Sequence, residues 1–397
     1  MSGIVQPTES QLDTLVEPYL ARQQLGLGFA IGYASPDFTP PGNLYFRGNV
    51  QNQFGARLSL DGDTLFEIAS ISKTFTATLY ALLIRSVSPS RTVGDYIAPN
   101  GPLHISSELA DIPLDSLMNY TSGLPQDNDN ASVDTPPYWP APYSLRAMLS
   151  YLDVSPPTIT ETGKRFTYSN LGFALMGAIL SGSPPSLATY TSLVESKIFA
   201  PLGMKSRFFS DVSLAQLPLG YEYNYQQSPV FEATAPGFAF LPAYAGASAI
   251  VASSNDMLQW LLFNMGINQY AELTPLLPVL QSPSTTVKSG NCELGLGWFI
   301  SPSGPASIWK DGALEGFNSY IAFLPSIGTP GVDPSQAGVF VLVNADGITG
   351  DQYNNGTEIP AVLANDILLI MQGIKPPADK SGYPRAAVPR RRRTAVR

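Results

Sequence analysis

The sequence predicts an α+β protein: an antiparallel sheet built from both ends of the chain, flanked by helices, with a mainly helical subdomain inserted between its halves. Three observations predict it. Strand-like apolar runs lie near both ends, helical spacing dominates between about residues 69 and 244, and 44% hydrophobic against 13% charged residues in a chain of 397 is ample for a large core. No internal repeat is visible. We therefore expect one domain over residues 1–380, with a sheet part at about 1–68 and 245–380 and a helical part at about 69–244. The basic stretch 381–397 reads as a disordered tail, and the cleft between the two parts is the expected place for a site.

Taken in order, residues 10–24 show helical spacing (Leu12, Leu15, Val16, Tyr19, Leu20) after a Thr-Glu-Ser start. Two strand-like runs, 28–33 and 44–50, follow on either side of a Pro-Gly turn. Helices are then expected at 72–86, 145–152, 170–180 and 190–199, separated by loops rich in Pro, Ser, Asn and Asp, notably 125–142. Another amphipathic helix is expected over 249–265. Strands return at 295–300, 319–324 and 338–344, and a last helix is expected at 360–371.

Composition excludes several chemistries. The chain has one histidine, His104, and one cysteine, Cys292. A Ser-His-Asp hydrolase or a His/Cys metal site needs more imidazoles or thiols than this, and an intramolecular disulfide is impossible. His104 sits in a loop-like Pro-Leu-His-Ile segment and reads as structural, and Cys292 reads as having no role. No cofactor or metal is called for. The formal net charge is −9, and the six arginines from Arg385 onward leave the preceding body six charges more negative. An acidic body argues against nucleic acid as a partner. No apolar run is long enough for a bilayer and no signal-peptide pattern opens the chain, so a cytoplasmic protein is expected, with the sequons at Asn119, Asn130 and Asn355 accidental. Oligomeric state is not legible.

Without histidine, a serine nucleophile needs another base, and a lysine one helical turn later shares its helix face. Ser70-Ile71-Ser72-Lys73 offers this at the mouth of an apolar helix (Phe75, Leu79, Leu82, Leu83). The positive end of the helix dipole would favour developing negative charge at Ser70, and burial would depress the lysine pKa. The tetrapeptide alone is weak: chance yields about one in a chain of this size, and Ser307-Ile308-Trp309-Lys310 is a second copy without a helix pattern. Context separates the two. Downstream of Ser70 come Tyr168-Ser169-Asn170 at a loop-to-helix junction and Lys310-Asp311-Gly312-Ala313 ahead of a strand.

The run from Phe66 through Ser70 and Lys73 to Thr76 resembles the nucleophile segment of class C β-lactamases and the related penicillin-binding proteins, family VIII esterases and fungal polyketide acyltransferases. Tyr168-Ser169-Asn170 resembles that group's Tyr-x-Asn motif, and Lys310-Asp311-Gly312-Ala313, continued by 316–325, its Lys-Thr-Gly strand. Smaller matches, Thr121-Ser122-Gly123-Leu124-Pro125, Pro201-Leu202-Gly203-Met204 and Gly295-Leu296-Gly297-Trp298, occur in the family's order over roughly residues 10–372. The resemblance implies a β-lactamase/transpeptidase-like fold. It implies Ser70 as the acylated nucleophile, with Lys73 and Tyr168 sharing general base and acid work, and leaves open which of them deprotonates Ser70. Asn170 would hydrogen-bond Lys73 and the substrate. The backbone N–H groups of Ser70 and Ala313, beside Gly312, would form the oxyanion hole, and Lys310 would add positive potential.

Two departures shape the expected function. Asp311 stands where the family usually has Thr or Ser, and a carboxylate there opposes an anionic substrate group. Tyr120 precedes Thr121 where a family pattern has His. With no export signal visible, the expectation is a serine esterase or acyltransferase of secondary metabolism working on an ester, thioester or amide small molecule, with an acyl-carrier or CoA thioester among the donors it could use. A β-lactamase or D-amino-acid peptidase is the rival of the same fold, and a non-catalytic ligand-binding or scaffold descendant the rival of another class. The aromatic stretch Tyr221, Tyr223, Tyr225, Phe231, Phe238, Phe240 and Tyr244 either lines a pocket for a bulky substrate or simply packs a long loop.

Overall fold

The computed structural model describes residues 3–20, 26–97, 105–127, 143–154, 157–182, 185–224, 230–234, 242–302, 306–346, 358–380 and 383. A seven-stranded sheet organises them, every pairing in it antiparallel. Across the sheet the order is Glu293–Leu294, Phe299–Ser301, Ser307–Leu314, Phe317–Phe323, Gly338–Val343, Gly28–Ala34 and Gly42–Gly48. The first strand of the chain thus pairs with the last long one, Phe29 opposite Val343 and Ala34 opposite Gly338. Buried Asn344 locks this closure: its Nδ2 donates to the Gly26 and Leu219 carbonyls, and its Oδ1 accepts from Gly28 N–H.

Every residue of Gly28–Ala34, Phe317–Phe323 and Gly338–Val343 is buried, as expected of strands covered on both faces. The helix Ile359–Met371 packs on the last two of these strands, and Glu9–Leu20 packs on the edge strand Gly42–Gly48. The helix Ser254–Asn264 lies against Gly28–Ala34, and a row of small residues lets it approach. Gly42, Ala34 and Gly338 stand side by side across three strands. A Cβ at Gly42 would come within 2.7 Å of Leu258, and one at Gly338 within 2.5 Å of the Met265 sulfur.

The expected helix over 249–265 is corrected in its first turn. Ile250–Ser253 is a strand between Leu65–Glu67 and Arg207–Phe208. The helix starts after Ser253, whose hydroxyl accepts from Asp256 N–H while Asp256 returns to Ser253 N–H. The strand 307–314 was not marked by its pattern, because Lys310, Asp311 and Gly312 break the apolar run. The packed body also reaches past residue 380. Tyr383 is buried, with its hydroxyl donating to Asp366, and Lys380 donates to both oxygens of that carboxylate at 2.7 and 2.8 Å. Asn119, the one sequon residue within the described segments, is buried and hydrogen-bonded to Ser284 and Thr121, so it carries no glycan in this fold. Among the described residues no helix is long and apolar enough to cross a membrane.

One buried acid stands apart. Glu67 is 2% exposed, and neither of its side-chain oxygens has a hydrogen-bond partner. Burial pushes its carboxyl up to about 8. Because the folded value lies above the unfolded one, the associated stability is fully present below about pH 4.5 and is lost as pH rises through 8. Glu67→Gln is therefore expected to flatten this dependence and to be the more stable form at neutral pH by on the order of 3 kcal/mol. Urea midpoints of the two proteins between pH 4 and 9 measure it, and parallel curves would refute it.

Candidate active site

The nucleophile segment enters from Leu65–Glu67, makes a single tight turn over Ala69–Ile71 and continues as the helix Ser72–Tyr80. Ala69 has φ 48°, left-handed for a residue with a Cβ, and this strain sits immediately before Ser70. All nine residues of the helix are buried, the polar ones included. Their hydrogen bonds explain why. Thr76 donates to the Gly246 carbonyl at 2.6 Å, Ser72 accepts from Ile250 N–H, and Lys73 donates to the Ala247 carbonyl at 3.0 Å. The helix thereby clamps the turn Ala245–Ser248. From the other side Asn170–Leu180 presses on the same turn, where a Cβ on Gly246 would meet the Phe173 carbonyl at 2.5 Å. Phe75 stacks on Trp260 at 3.8 Å between ring centroids and fastens the nucleophile helix to Ser254–Asn264.

On this frame Lys73 Nζ lies 2.9 Å from Ser70 Oγ. Ser70 is partly exposed while Lys73 is 0% exposed, so a substrate can reach the hydroxyl but water cannot surround the amine. Burial, then the charge of Lys310, hold the Lys73 amine well below the usual lysine range; Asp127 and Asp311 oppose this. Tyr168 stands 5.0 Å, ring centroid to Lys73 Nζ, and 5.3 Å to Lys310 Nζ. Burial raises its phenol, and Lys310 together with hydrogen bonding to Ser70 and Lys310 pulls it only part of the way back. Lys310, also 0% exposed, is pulled down by its burial but carried above the usual range by Asp311 and Tyr168. It remains a cation. A buried amine that is a weak base for a proton from water, in contact with a reachable hydroxyl, can accept the hydroxyl proton as the oxygen attacks.

The strand Ser307–Leu314 passes over the nucleophile turn. A Cβ on Gly312 would come within 2.4 Å of the Ile68 carbonyl and 3.1 Å of Ser70 N, so only glycine permits this approach. Ser319, paired opposite Gly312, donates to the same Ile68 carbonyl at 2.9 Å and ties the strand to the turn. Ala313 is the next residue of the strand. The structure thus brings Ser70, Lys73, Tyr168 and Lys310 together, with Gly312 against the nucleophile turn and Ala313 beside it in the strand.

Asn170 departs from expectation. Its Nδ2 donates to Asp127 at 3.0 Å, and its Oδ1 is buried and without a partner. Lys73 donates instead to the Ala247 carbonyl, which the clamped turn aims at the amine. A main-chain oxygen leaves no mark in residue identity, and Asp127 lies too far along the chain for spacing to signal the pair. Tyr120 also went unassigned. Its fully buried ring, at φ 62°, stacks 5.1 Å from Tyr168 and 5.2 Å from Phe299, and the series continues through Trp309 to Tyr320. Of the aromatic stretch, Tyr221 and Tyr244 pack into the core; the side chains from Tyr223 to Phe240 lie outside the described residues, as does His104. The second Ser-x-x-Lys copy is a strand, with Ser307 buried and its lysine part of this site.

The beta-lactamase family model matches residues 42–363. The chain belongs to the beta-lactamase family. Among similar family members, a beta-lactamase of Pseudomonas fluorescens is 28% identical over 354 residues, spanning 85% of this chain and 86% of that one. An unguisins hydrolase of Aspergillus campestris is 25% identical over 302 residues, 67% of this chain and 51% of that protein. The solved beta-lactamase/D-alanine carboxypeptidase of Pseudomonas syringae superposes with a TM-score of 0.65 at 22% identity, covering 91% of this chain and 98% of the other. The fold is the β-lactamase/transpeptidase fold, and this beta-lactamase family member is an enzyme of the serine hydrolase kind.

Proposed function

We propose that this enzyme opens an ester, thioester or amide bond of a small molecule through an acyl-enzyme on Ser70, and passes the acyl group to water or to an alcohol. The observation that carries the reading is the 2.9 Å contact between Ser70 Oγ and a fully buried Lys73 amine. In the first step Ser70 Oγ bonds to the carbonyl carbon while its proton moves to Lys73. The carbonyl oxygen becomes an oxyanion facing the N–H groups of Ser70 and Ala313. Such donors contribute about 3–4 kcal/mol to a transition state. As the bond to the leaving group breaks, that group takes a proton from the Lys73–Tyr168 pair, and Tyr168, kept protonated by burial, relays it. The acceptor's oxygen then reverses the sequence. Lys310 contributes positive potential at Tyr168, and Asn170 binds the acyl side.

Asp311 supports a substrate without a carboxylate beside the reacting bond. Its Oδ1 and main-chain oxygen both lie 2.7 Å from Lys310 Nζ, so the cation that would hold such a carboxylate is already paired. This favours a neutral ester or thioester, with an acyl-carrier or CoA thioester as donor and action inside the cell, over a β-lactam or a D-alanyl peptide. The fungal relative named as a hydrolase of unguisins supports a hydrolytic reaction, and a role in secondary metabolism is part of this proposal. The names of the bacterial relatives favour the second reading, a β-lactamase or D-amino-acid peptidase. Asp311→Thr separates the two: it is expected to raise kcat/KM for the carboxylate-bearing lactam nitrocefin relative to p-nitrophenyl butyrate by about tenfold, through removal of a like charge. An unchanged ratio would show that Asp311 does not set this preference. The reading as a whole is tested by treating the protein with a fluorophosphonate and locating the adduct by mass spectrometry. The label belongs on the peptide containing Ser70; label elsewhere, or none, refutes it.

A further inference from the structure

The acyl side of the site has an unusual donor and acceptor balance. Asn170 is the first residue of Asn170–Leu180, and its N–H and that of Leu171 donate to the Gln126 carbonyl at 2.7 and 3.2 Å, which fastens the 123–127 loop to the helix start. Asp127 ends this loop. Its carboxylate accepts the Asn170 amide N–H at 3.0 Å, which turns the Asn170 oxygen the other way, where it is buried and accepts nothing. Asp127 is near enough to Lys73 for its charge to act on the amine. The surroundings therefore offer acceptors and negative charge. Lys310 is paired with Asp311, Lys73 serves as base only when uncharged, and Asn170 spends one of its two amide N–H groups on Asp127.

We propose that Asp127 and the Asn170 side-chain oxygen form a recognition site for a protonated amine carried on the acyl portion of the substrate, next to the reacting carbonyl. The inference rests on Ser70 being the acylated residue. An alkylammonium has three N–H donors, one positive charge and no acceptor, which complements a carboxylate beside an unpartnered amide oxygen. A carboxylate or a neutral acyl chain in this place would leave the Asn170 oxygen buried and unsatisfied. The acyl groups that fit are α-amino acyl groups, including the free N-terminal residue of a short peptide.

The test compares alanine thiobenzyl ester, as both enantiomers, with thiobenzyl propanoate, which lacks only the amine. The ratio of their kcat/KM values is independent of the fraction of active protein. The wild-type ratio for the better enantiomer is expected to exceed about tenfold, as for a charge-assisted hydrogen bond. It should fall about tenfold in Asp127→Asn and further in Asp127→Lys. A wild-type ratio near or below one, or the same ratio in all three proteins, overturns the proposal. So does enzyme that is labelled at Ser70 by a fluorophosphonate and turns over neither thioester. Absence of that label instead takes down the underlying reading, and this inference with it.

Discussion

Ser70→Ala is expected to abolish the covalent intermediate and to lower kcat by about 10⁴-fold or more, leaving only what binding and the main-chain donors supply. The size of the loss follows from the division of labour at the site. Lys73, Tyr168 and Lys310 are all arranged around the hydroxyl, and none replaces it as an attacking atom. The substitution removes one partly exposed oxygen whose hydrogen-bonding partners are Lys73 and Tyr168. The fold should survive, so loss of activity with an unchanged urea midpoint is the expected pair of results. Intact-mass measurement on a slowly turned-over ester should show the acyl increment on wild type and none on the variant. Retention of even a hundredth of the rate would remove Ser70 from the mechanism.

The second large effect concerns the base. Lys73→Met keeps the length and apolar packing of the side chain and removes the amine; kcat is expected to fall about 10³-fold or more. The pH profile identifies the group behind the loss. Lys73 acts when uncharged, and burial together with Lys310 lowers its pKa. The wild-type rate should therefore rise with pH through this lowered value and level off well before the ordinary lysine range. If a Tyr168 anion were the base, the rise would instead come above the ordinary tyrosine value of 10.0, since burial pushes that phenol up. The signs of the neighbours' effects are fixed too. Lys310→Met relieves repulsion, raises the Lys73 pKa and moves the acidic limb to higher pH. Asp311→Asn removes an attraction and moves it to lower pH. Profiles of kcat/KM from pH 5 to 11 for the three proteins decide between the bases.

How far the sequence carried this site depended on what each residue contributes. Ser70, Lys73, Tyr168 and Lys310 act through side chains, and their motifs stand at distinctive spacings. The strands nearest the two ends of the chain were legible because 28–33 and 338–343 are unbroken apolar runs, which suits strands buried on both faces. The strand 307–314 was hidden from hydrophobic periodicity by the polar residues that make it useful, and only the resemblance of Lys310-Asp311-Gly312-Ala313 to a Lys-Thr-Gly strand signalled it. The run from Ala249 to Ala252 reads as the start of a helix because it is apolar and leads into one, although Ser253 and Asp256 mark the true beginning. What stayed invisible were relations between distant segments: the Ala247 carbonyl on Lys73, the Asp127 carboxylate on Asn170, and Tyr120 stacked against Tyr168. Main-chain groups and long-range partners have no local periodicity, and only the packed chain shows them.

The series of rings from Tyr168 through Tyr120, Phe299 and Trp309 to Tyr320, with neighbouring planes within 20° of parallel, has an optical consequence. Of the four tryptophans in the chain, Trp309 belongs to this series and is the neighbour of Lys310 in sequence. Its indole transitions couple to those of phenols and a phenyl ring held at fixed angles, so the near-ultraviolet circular dichroism of the folded protein carries a signal from the site itself. Acylation that shifts the Tyr168 ring alters one end of a coupled chromophore. The progress of catalysis can then be followed in stopped flow with no dye attached and no reporter on the substrate.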